Sequence, residues 1–493
     1  MNGIQLKIGK VSFFNPERQA KSKTANISTM GLSILTALLK ERGLKCNDAT
    51  EESARYFDVL LITLYWWKDV YSLHKFIQKA KINLQKRKPL VICGGISALN
   101  PCVIKDACHY VFIGDIEDRI DEFTAAIQGK TEWEEVPGIY DFKKQSVTLQ
   151  TASKICPIVH TENRQKAVSR IEIARGCTNQ CRFCVIGNYK PYVEQPFEVI
   201  KKLIHSDTQK TLGLFAPNRG GHSRFSDIED EVVKAGKKNI ACDIRLDAIP
   251  KVKHAAAITC GIEGYSERLR TAVGKAYTRS DVISNLLAAF NLPKPGGGTI
   301  TSLIVYLIDG LPAVKKEDYA EWWDTIAEVN EKLTKKVTLF ISRSWFTPYY
   351  LTPMQWAPCD VYRDFNAEYG RSPNNKLHAE KRYDKITIAH RGGTPYTVRR
   401  IFQILAVRGD ETAAPIIKAL ACSRKNQRLW TDKSLYGAKN FMKALDSKGI
   451  KENTLCGEWP RKKPLPWHFI ETPTIKNDLY SDWEKYKRLK EGK

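Results

Sequence analysis

Along the first 150 residues, short apolar runs alternate with amphipathic stretches of helical periodicity. Val11–Phe14, Asp58–Thr63, Pro89–Gly95 and Tyr110–Asp115 read as strands, and the second and third are apolar almost throughout, as strands covered on both faces are. Ile27–Arg42 carries a helical repeat that stops at Gly43, a residue suited to the left-handed turn that ends helices. Further helices are predicted near Val70–Lys86 and over Asp118–Ile127. This βαβα order predicts an α/β, doubly wound, Rossmann-type domain with a parallel sheet between helices. Gly94, Gly95 and Gly114 end two of its strands, where glycine lets backbone come close to a ligand.

A polar stretch after Pro137–Tyr140 leads to a second alternating series. Its candidate strands are Ile171–Ala174, Thr211–Pro217, Asn239–Leu246, Ala256–Gly264, Thr301–Gly310 and Lys336–Ser342, with helical runs between them. Six βα units predict a partial (β/α)6 barrel, two units short of the common eight. Beyond Pro358 the pattern turns helical, basic and rich in loops. The expected division is residues 1–150 as the Rossmann-type domain, 151–168 as a linker, 169–358 as the partial barrel and 359–493 as a basic C-terminal domain.

Composition narrows the setting. A chain of 493 residues buries large cores without disulfide staples. It has no apolar run long enough to span a bilayer, and its first residues lack a secretory h-region, so a cytoplasmic location is expected. The 13 cysteines then read as thiols or metal ligands. Net charge is +24, and residues 371–493 hold 27 Lys or Arg against 13 Asp or Glu. That surplus, interleaved with Tyr383, Trp430, Tyr436, Trp459 and Trp467, points to DNA or RNA as partner: cations neutralise phosphates and rings stack on exposed bases. A solvated basic surface has the same composition.

The segment ARGCTNQCRFCVIGNY places Cys177, Cys181 and Cys184 in a Cys-x3-Cys-x2-Cys pattern just after the first strand of the second series. Three thiolates on one loop can wrap an iron–sulfur cluster that usually takes four, leaving one iron open. Zinc would want a fourth Cys or His at regular spacing, which is missing here. Ligand number, spacing and the aromatic Phe183 resemble the signature of the radical S-adenosylmethionine (radical SAM) superfamily. The resemblance implies a [4Fe–4S] cluster whose open iron is chelated by S-adenosylmethionine (SAM). It also implies a reductant such as flavodoxin or ferredoxin, and reductive cleavage to methionine and a 5′-deoxyadenosyl radical. GIEGYSERLRTAVGKAYTRSDV (Gly261–Val282) resembles a SAM-contacting segment of these enzymes, implying that Glu263 faces the SAM ribose or amino acid and Lys275 its carboxylate. LFAPN (Leu214–Asn218) stands where many members contact the SAM amino group, often with Gly-Gly-Glu; this chain offers Asn218 instead. CDIRLDAI (Cys242–Ile249) resembles a strand of cobalamin-associated members, making Arg245 and Asp247 pocket candidates, with an ordinary ion pair as the alternative. No residue stands out as radical relay or general base.

The first domain resembles the cobalamin-binding domain that often precedes a radical SAM barrel, through ISTMGLSILTALLKERG, VICGGISALNP, YVFIGDIEDRIDEF and VPGIY. It departs in having no histidine in the loop NPERQAKSKTAN and no Asp-x-His-x-x-Gly anywhere, so a vestigial domain that shapes the substrate site is favoured over cobalamin binding. Ser342–Pro358, Ile404–Leu420 and Leu465–Tyr486 extend the likeness to cobalamin-domain radical SAM proteins over nearly the whole chain. The tRNA methylthiotransferases of this superfamily carry a second cluster on three N-terminal cysteines. Cys46, Cys93, Cys102 and Cys108 are available, but their contexts do not match. The expected function is radical modification of a nucleic-acid base or an attached group, in DNA or RNA, by methylation, rearrangement or carbon–carbon bond formation. The alternatives are cobalamin-dependent radical methylation of a small molecule or peptide, and a nucleic-acid-binding protein with a structural cluster. Trp66 and Trp67, after a strand, are candidates for a pocket wall or for packing.

Overall fold

The computed structural model describes residues 6–13, 29–162, 168–239, 242–253, 255, 257–294, 297–363, 383–391, 397–423, 428–430, 432, 434–473 and 478–490. The chain forms two compact units, each discontinuous in sequence. One comprises residues 1–167 and 396–476, the other residues 168–395 and 477–493. The basic C-terminal stretch, expected as a domain of its own, is therefore shared between them. Among the described residues no helix is long and apolar enough to cross a membrane.

The first unit is built on a six-stranded sheet of Ile8–Ser12 (β1), Cys46–Asp48 (β2), Val59–Thr63 (β3), Leu90–Gly94 (β4), Tyr110–Phe112 (β5) and Ile139–Tyr140 (β6), in the order β2-β1-β3-β4-β5-β6. All pairs are parallel except β5–β6, so the expected doubly wound sheet gains an antiparallel edge. Phe14, the predicted end of the first strand, lies outside the described residues, as does the loop NPERQAKSKTAN. Helices Met30–Glu41 (α1), Trp67–Lys79 (α2) and Ile120–Ile127 (α3) connect the strands. Thr29 caps α1 by accepting from the Leu32 amide, and the Asp69 carboxylate accepts from the Tyr65 and Trp66 amides at the start of α2. Ile8, Leu61, Ile92, Tyr110, Phe123 and Trp133 belong to one buried cluster under the sheet. Gly95 and Gly114 serve chain packing: a Cβ on Gly95 would stand 2.5 Å from the Leu64 carbonyl oxygen, and one on Gly114 2.0 Å from that of Gln150.

The returning C-terminal segment completes this unit. Tyr71 on α2 donates to the Phe402 carbonyl at 2.8 Å, and Asn100 donates to the carbonyls of Val407 and Gly409. Val147–Thr148 (β7) pairs with the distant Ile470–Glu471 (β19). Trp67 stacks on Trp430 at 6.1 Å, so of the two neighbouring tryptophans Trp67 is packing, while Trp66 remains 47% exposed. Of the aromatics expected to stack bases, Tyr383, Trp459 and Trp467 are buried and Trp430 is half-buried. Tyr436 alone among these five is exposed, at 77%. Val159–Glu162 (β8) closes the N-terminal segment.

The second unit repeats the parallel theme. Val168–Glu172 (β9) leads through a short antiparallel pair, Ala174–Arg175 (β10) and Val193–Glu194 (β11), to Thr211–Phe215 (β12), which pairs with β9 and with Lys238–Asn239 (β13). A five-stranded parallel sheet follows, of Cys242–Arg245 (β14), Ile258–Glu263 (β15), Ser302–Asp309 (β16), Val337–Trp345 (β17) and Ile386–Arg391 (β18), in that spatial order. Helices Val185–Tyr189 (α4), Phe197–Ser206 (α5), Phe225–Lys234 (α6), Glu267–Ala272 (α7), Arg279–Asn291 (α8) and Lys316–Lys332 (α9) intervene. The predicted strand Asn239–Leu246 is two short strands separated by Ile240 and Ala241, which lie outside the described residues, and among the described residues the strands do not close into a barrel. β18 is a parallel strand beyond the expected domain limit at residue 358; its apolar and polar residues alternate as Ile-Thr-Ile-Ala, a pattern hidden by the basic stretch around it.

One buried acid in this unit gives stability a pH dependence. Glu229 on α6 is 1% exposed; one carboxylate oxygen accepts from the Lys253 amide and the other has no hydrogen-bond partner. Burial pushes its carboxyl up to about 7 from 4.5. The folded state therefore holds a proton that the unfolded chain releases, so stability is greatest below about 4.5 and falls as pH rises through about 7, by up to roughly 3 kcal/mol. Glu229→Gln should raise the melting temperature clearly at pH 8 and little at pH 5; equal shifts at both values, by calorimetry, would refute this assignment.

Candidate active site

The three cysteines share the loop between β10 and α4. The loop starts at Gly176, whose φ of +70° and contact with the Pro191 carbonyl oxygen, 2.1 Å from where a Cβ would stand, exclude other residues. The Cys184 amide donates to the Cys181 carbonyl, closing a tight turn on which Phe183 is half-buried. Asn188 on α4 then donates from Nδ2 to the carbonyls of both Cys181 and Cys184, at 2.9 and 2.7 Å. Arg182 ties the turn outward. Its amide donates to the Val273 carbonyl, its guanidinium to that of Ala272, and its own carbonyl accepts from Met354.

The environment of the thiols is basic and rich in N–H donors. Asn179 approaches Cys177 Sγ with its amide at 3.4 Å and its side chain at 3.6 Å. Arg245 Nη1 lies 3.7 Å from Cys181 Sγ. Burial pushes the Cys184 thiol up to about 11 and raises that of Cys181, against which the Lys275 and Arg245 cations pull down. Binding iron must therefore displace protons, and the two cations ease that step at Cys181. Among the described residues no three His, Cys, Asp or Glu side chains gather to hold a single metal ion. The donor set of three cysteines with N–H···S contacts fits a thiolate-bound iron–sulfur cluster.

Beside Cys181 lies a second group of predicted residues. Lys275, 7% exposed, donates to Glu263 Oε1 at 3.0 Å and to the Gly261 carbonyl at 2.9 Å. Burial alone would lower its ammonium, but Glu263 and the Cys181 thiol hold it above its ordinary value. Glu263 has φ +69° at a β-bulge, a costly conformation for a non-glycine residue that turns its carboxylate onto Lys275. Arg245 pairs with Asp247 at 3.0 Å, as the simpler expectation had it, while also lying over the Tyr277 ring and beside Cys181. Asn218, after β12, is buried with Oδ1 unpartnered, an acceptor that fits an ammonium group such as that of SAM. Cys181, Arg245, Glu263 and Lys275 are thus brought together. Among the described residues no hydrogen bond or ion pair joins Phe183 or Asn218 to them. Asn179, Asn188, Arg182 and Tyr277 were not singled out from the sequence. Asn188 had one usable signal, its i+4 spacing from Cys184.

Among the described residues the N-terminal cysteines do not gather into a group of three. Cys102 Sγ donates to the Pro466 carbonyl, Cys46 lies on edge strand β2, and Cys93 and Cys108 meet in the core. Separately, in the first unit, Tyr65 and Trp66 are 43% and 47% exposed at the carboxyl end of β3.

Residues 35–143 match the family described as radical SAM proteins, N-terminal. An uncharacterised protein of Methanocaldococcus jannaschii is 24% identical over 305 residues, 57% of this chain and 64% of the relative, so the chain spans less than two thirds of that protein. A tRNA-2-methylthio-N(6)-dimethylallyladenosine synthase of Lachnoclostridium phytofermentans is 21% identical over 344 residues, 62% of this chain and 71% of that protein. Among solved structures, the fold is similar to that of OxsB, a cobalamin-dependent S-adenosylmethionine radical enzyme with aqua-cobalamin and S-adenosylmethionine bound. The TM-score is 0.52 at 12% identity, over 99% of this chain and 80% of that one.

Asn188→Ala should fold yet hold the cysteine loop loosely. After anaerobic iron–sulfide reconstitution it should retain well under half the wild-type iron and lose its visible absorbance several times faster in air. Wild-type iron retention in this variant would show that the Asn188 clasp does not shape the cluster site.

Proposed function

We propose that this chain is a radical SAM enzyme that holds a [4Fe–4S] cluster on Cys177, Cys181 and Cys184 and modifies a nucleic-acid base or a group attached to one. The observation that carries the cluster assignment is one loop bearing three cysteines, clasped by Asn188 at Cys181 and Cys184, with the Arg245 and Lys275 cations acting on Cys181. Bound there, such a cluster supplies the electron that splits SAM into methionine and a 5′-deoxyadenosyl radical. The protein's part is to bind and orient. With SAM bound, Asn218 Oδ1 would accept from its ammonium, Lys275 would face its carboxylate, and Glu263, which holds Lys275 in place, would offer an acceptor to the ribose hydroxyls. Arg245 keeps positive charge beside Cys181, stabilising a thiolate ligand.

Two facts support a nucleic-acid substrate: the net charge of +24, and similarity to an enzyme whose name describes a modified adenosine of tRNA. Methylation and rearrangement both fit the site, as do DNA and RNA. A second reading is cobalamin-dependent methylation of a small molecule or peptide, supported by the likeness to OxsB and by the exposed rings of Tyr65 and Trp66 at the carboxyl edge of the first sheet. There a flat corrin would find apolar contact without a histidine ligand, and would supply a methyl carrier.

The test is anaerobic reconstitution with SAM, a flavodoxin or ferredoxin reductant and DNA or RNA, followed by nucleoside mass spectrometry. A new nucleoside and 5′-deoxyadenosine are expected with wild type, and neither with Cys181→Ala. SAM cleavage by that variant would overturn the cluster assignment. Absence of salt-dependent nucleic-acid binding, together with stoichiometric corrinoid uptake, would favour the second reading.

A further inference from the structure

The first unit contains a cavity of about 610 Å³ that takes no part in the cluster site. Its wall comes from two distant stretches of that unit, within residues 102–145 and 408–469. Pairing of β7 with β19 joins these stretches, and the ring of Tyr140 stacks on that of Phe469 at 4.3 Å and 11° to form part of the wall. A volume of this size suits a ligand as large as a nucleotide rather than a lone ion.

The charges in this wall are not balanced. Glu411 is paired with Lys105 at 2.6 Å, and Asp410 is held by its own loop, accepting from the Thr412 amide at 2.9 Å and hydroxyl at 2.5 Å. The Lys144 ammonium donates to the carbonyls of Glu134 and Ile139. Lys463 is half-buried and forms no ion pair among the described residues. Its ammonium meets the Thr454 carbonyl at 3.5 Å and the face of Trp459, 4.0 Å from the ring centre. The buried Arg408 guanidinium lies over the same ring at 4.1 Å and donates to the carbonyls of Leu455 and Gly457. Two cations therefore crowd one buried indole. Burial and the nearby Arg408 hold the Lys463 ammonium below its ordinary value, as happens where positive charge is short of negative charge. Lys143, exposed and lining the same cavity, adds a further cation with no ion pair among the described residues.

We propose that this cavity binds a phosphorylated ligand of nucleotide size, its phosphate received by Lys463 and Lys143 and its base by the wall that Tyr140 and Phe469 form. Phosphate fits better than a carboxylate, because it brings up to two negative charges to neighbouring cations and has oxygens enough to accept from both ammonium groups. A free nucleotide and a nucleotide unit within a strand share this chemistry. The site is made by the first unit alone, whereas Cys177, Cys181 and Cys184 belong to the second, so it does not depend on the cluster.

The test is calorimetric binding of adenosine 5′-monophosphate, adenosine and a single-stranded oligoribonucleotide to the full chain. Lys463→Gln removes one charge and keeps most of the stem. Gln145→Trp leaves the charges and fills the cavity from an exposed position in its wall. Lys443→Gln, exposed on the helix Leu435–Asp446 and outside the wall, controls for a general loss of charge. Wild type should bind the monophosphate about tenfold or more tightly than adenosine. Lys463→Gln and Gln145→Trp should each weaken monophosphate binding about tenfold, with Lys443→Gln within about twofold of wild type. Lys463→Gln carries the test by itself if Gln145→Trp lowers the melting temperature. Absence of monophosphate binding in the wild type overturns the inference, as does equal affinity for adenosine. So does unchanged monophosphate binding in Lys463→Gln, or a loss in Lys443→Gln as large as in Lys463→Gln. Where the monophosphate results hold, weaker oligoribonucleotide binding in Lys463→Gln assigns the site to a strand, and unchanged oligoribonucleotide binding assigns it to a free nucleotide.

Discussion

Lys275 buries an ammonium between a carboxylate, a backbone carbonyl and a thiol. Such a charge is costly to remove from water and persists only if every partner is held in place. Here Glu263 accepts the strain of a left-handed backbone at a bulge, and Gly261 gives up a side chain so that the pair can lie against the strand. The same ammonium lowers the cost of a thiolate at Cys181. The carboxyl end of β15 and the cysteine loop are thereby one electrostatic unit, although Glu263 and Lys275 lie 82 and 94 positions beyond Cys181 in the chain. Losing either partner would strand a buried charge, so the candidate SAM-binding residues and the candidate cluster ligands depend on each other.

The cysteine loop is held from outside as well as from within. Arg182 spends its amide, carbonyl and guanidinium on Val273, Met354 and Ala272, and the terminal helix Leu479–Lys490 brings Trp483 and Tyr486 to a fully buried stack in the same unit, with the Tyr486 hydroxyl donating to the Pro312 carbonyl. The chain thus leaves the second unit, contributes residues 396–476 to the first, and returns. The basic C-terminal quarter takes part in both cores. Its charge is a surface property spread over two units, while most of its aromatic rings pack inside.

The parallel architecture was legible because strands buried on both faces are apolar without a break and their helices carry a 3.6-residue repeat. DVLLIT and PLVICGG became β3 and β4, and TSLIVYLIDG became β16, with boundaries moved by a residue or two. β18 was hidden because an alternating Ile-Thr-Ile-Ala strand among basic residues carries little hydrophobic signal of its own, and what recruits it is the open edge of β17. The glycines at the strand ends were correctly read as places of close approach, but the approaching group is the protein's own backbone. The stacking aromatics misled for a simple reason: tryptophan is as useful to a core as to a nucleic-acid surface.

The sequence by itself determined the donor set and its spacing, since Cys177, Cys181 and Cys184 lie on one loop and need no long-range contact to be neighbours. It also determined the acidic and basic residues of Gly261–Val282, because a strand, a bulge and a following helix keep them local. Only the tertiary structure decided that Arg245 lies beside Cys181 and that Asn218 keeps a buried oxygen unpartnered. Those facts depend on which strands pair and on what height each residue takes across the sheet. Register is set by the sum of many weak packing choices over the whole unit, and no local pattern along the chain encodes it.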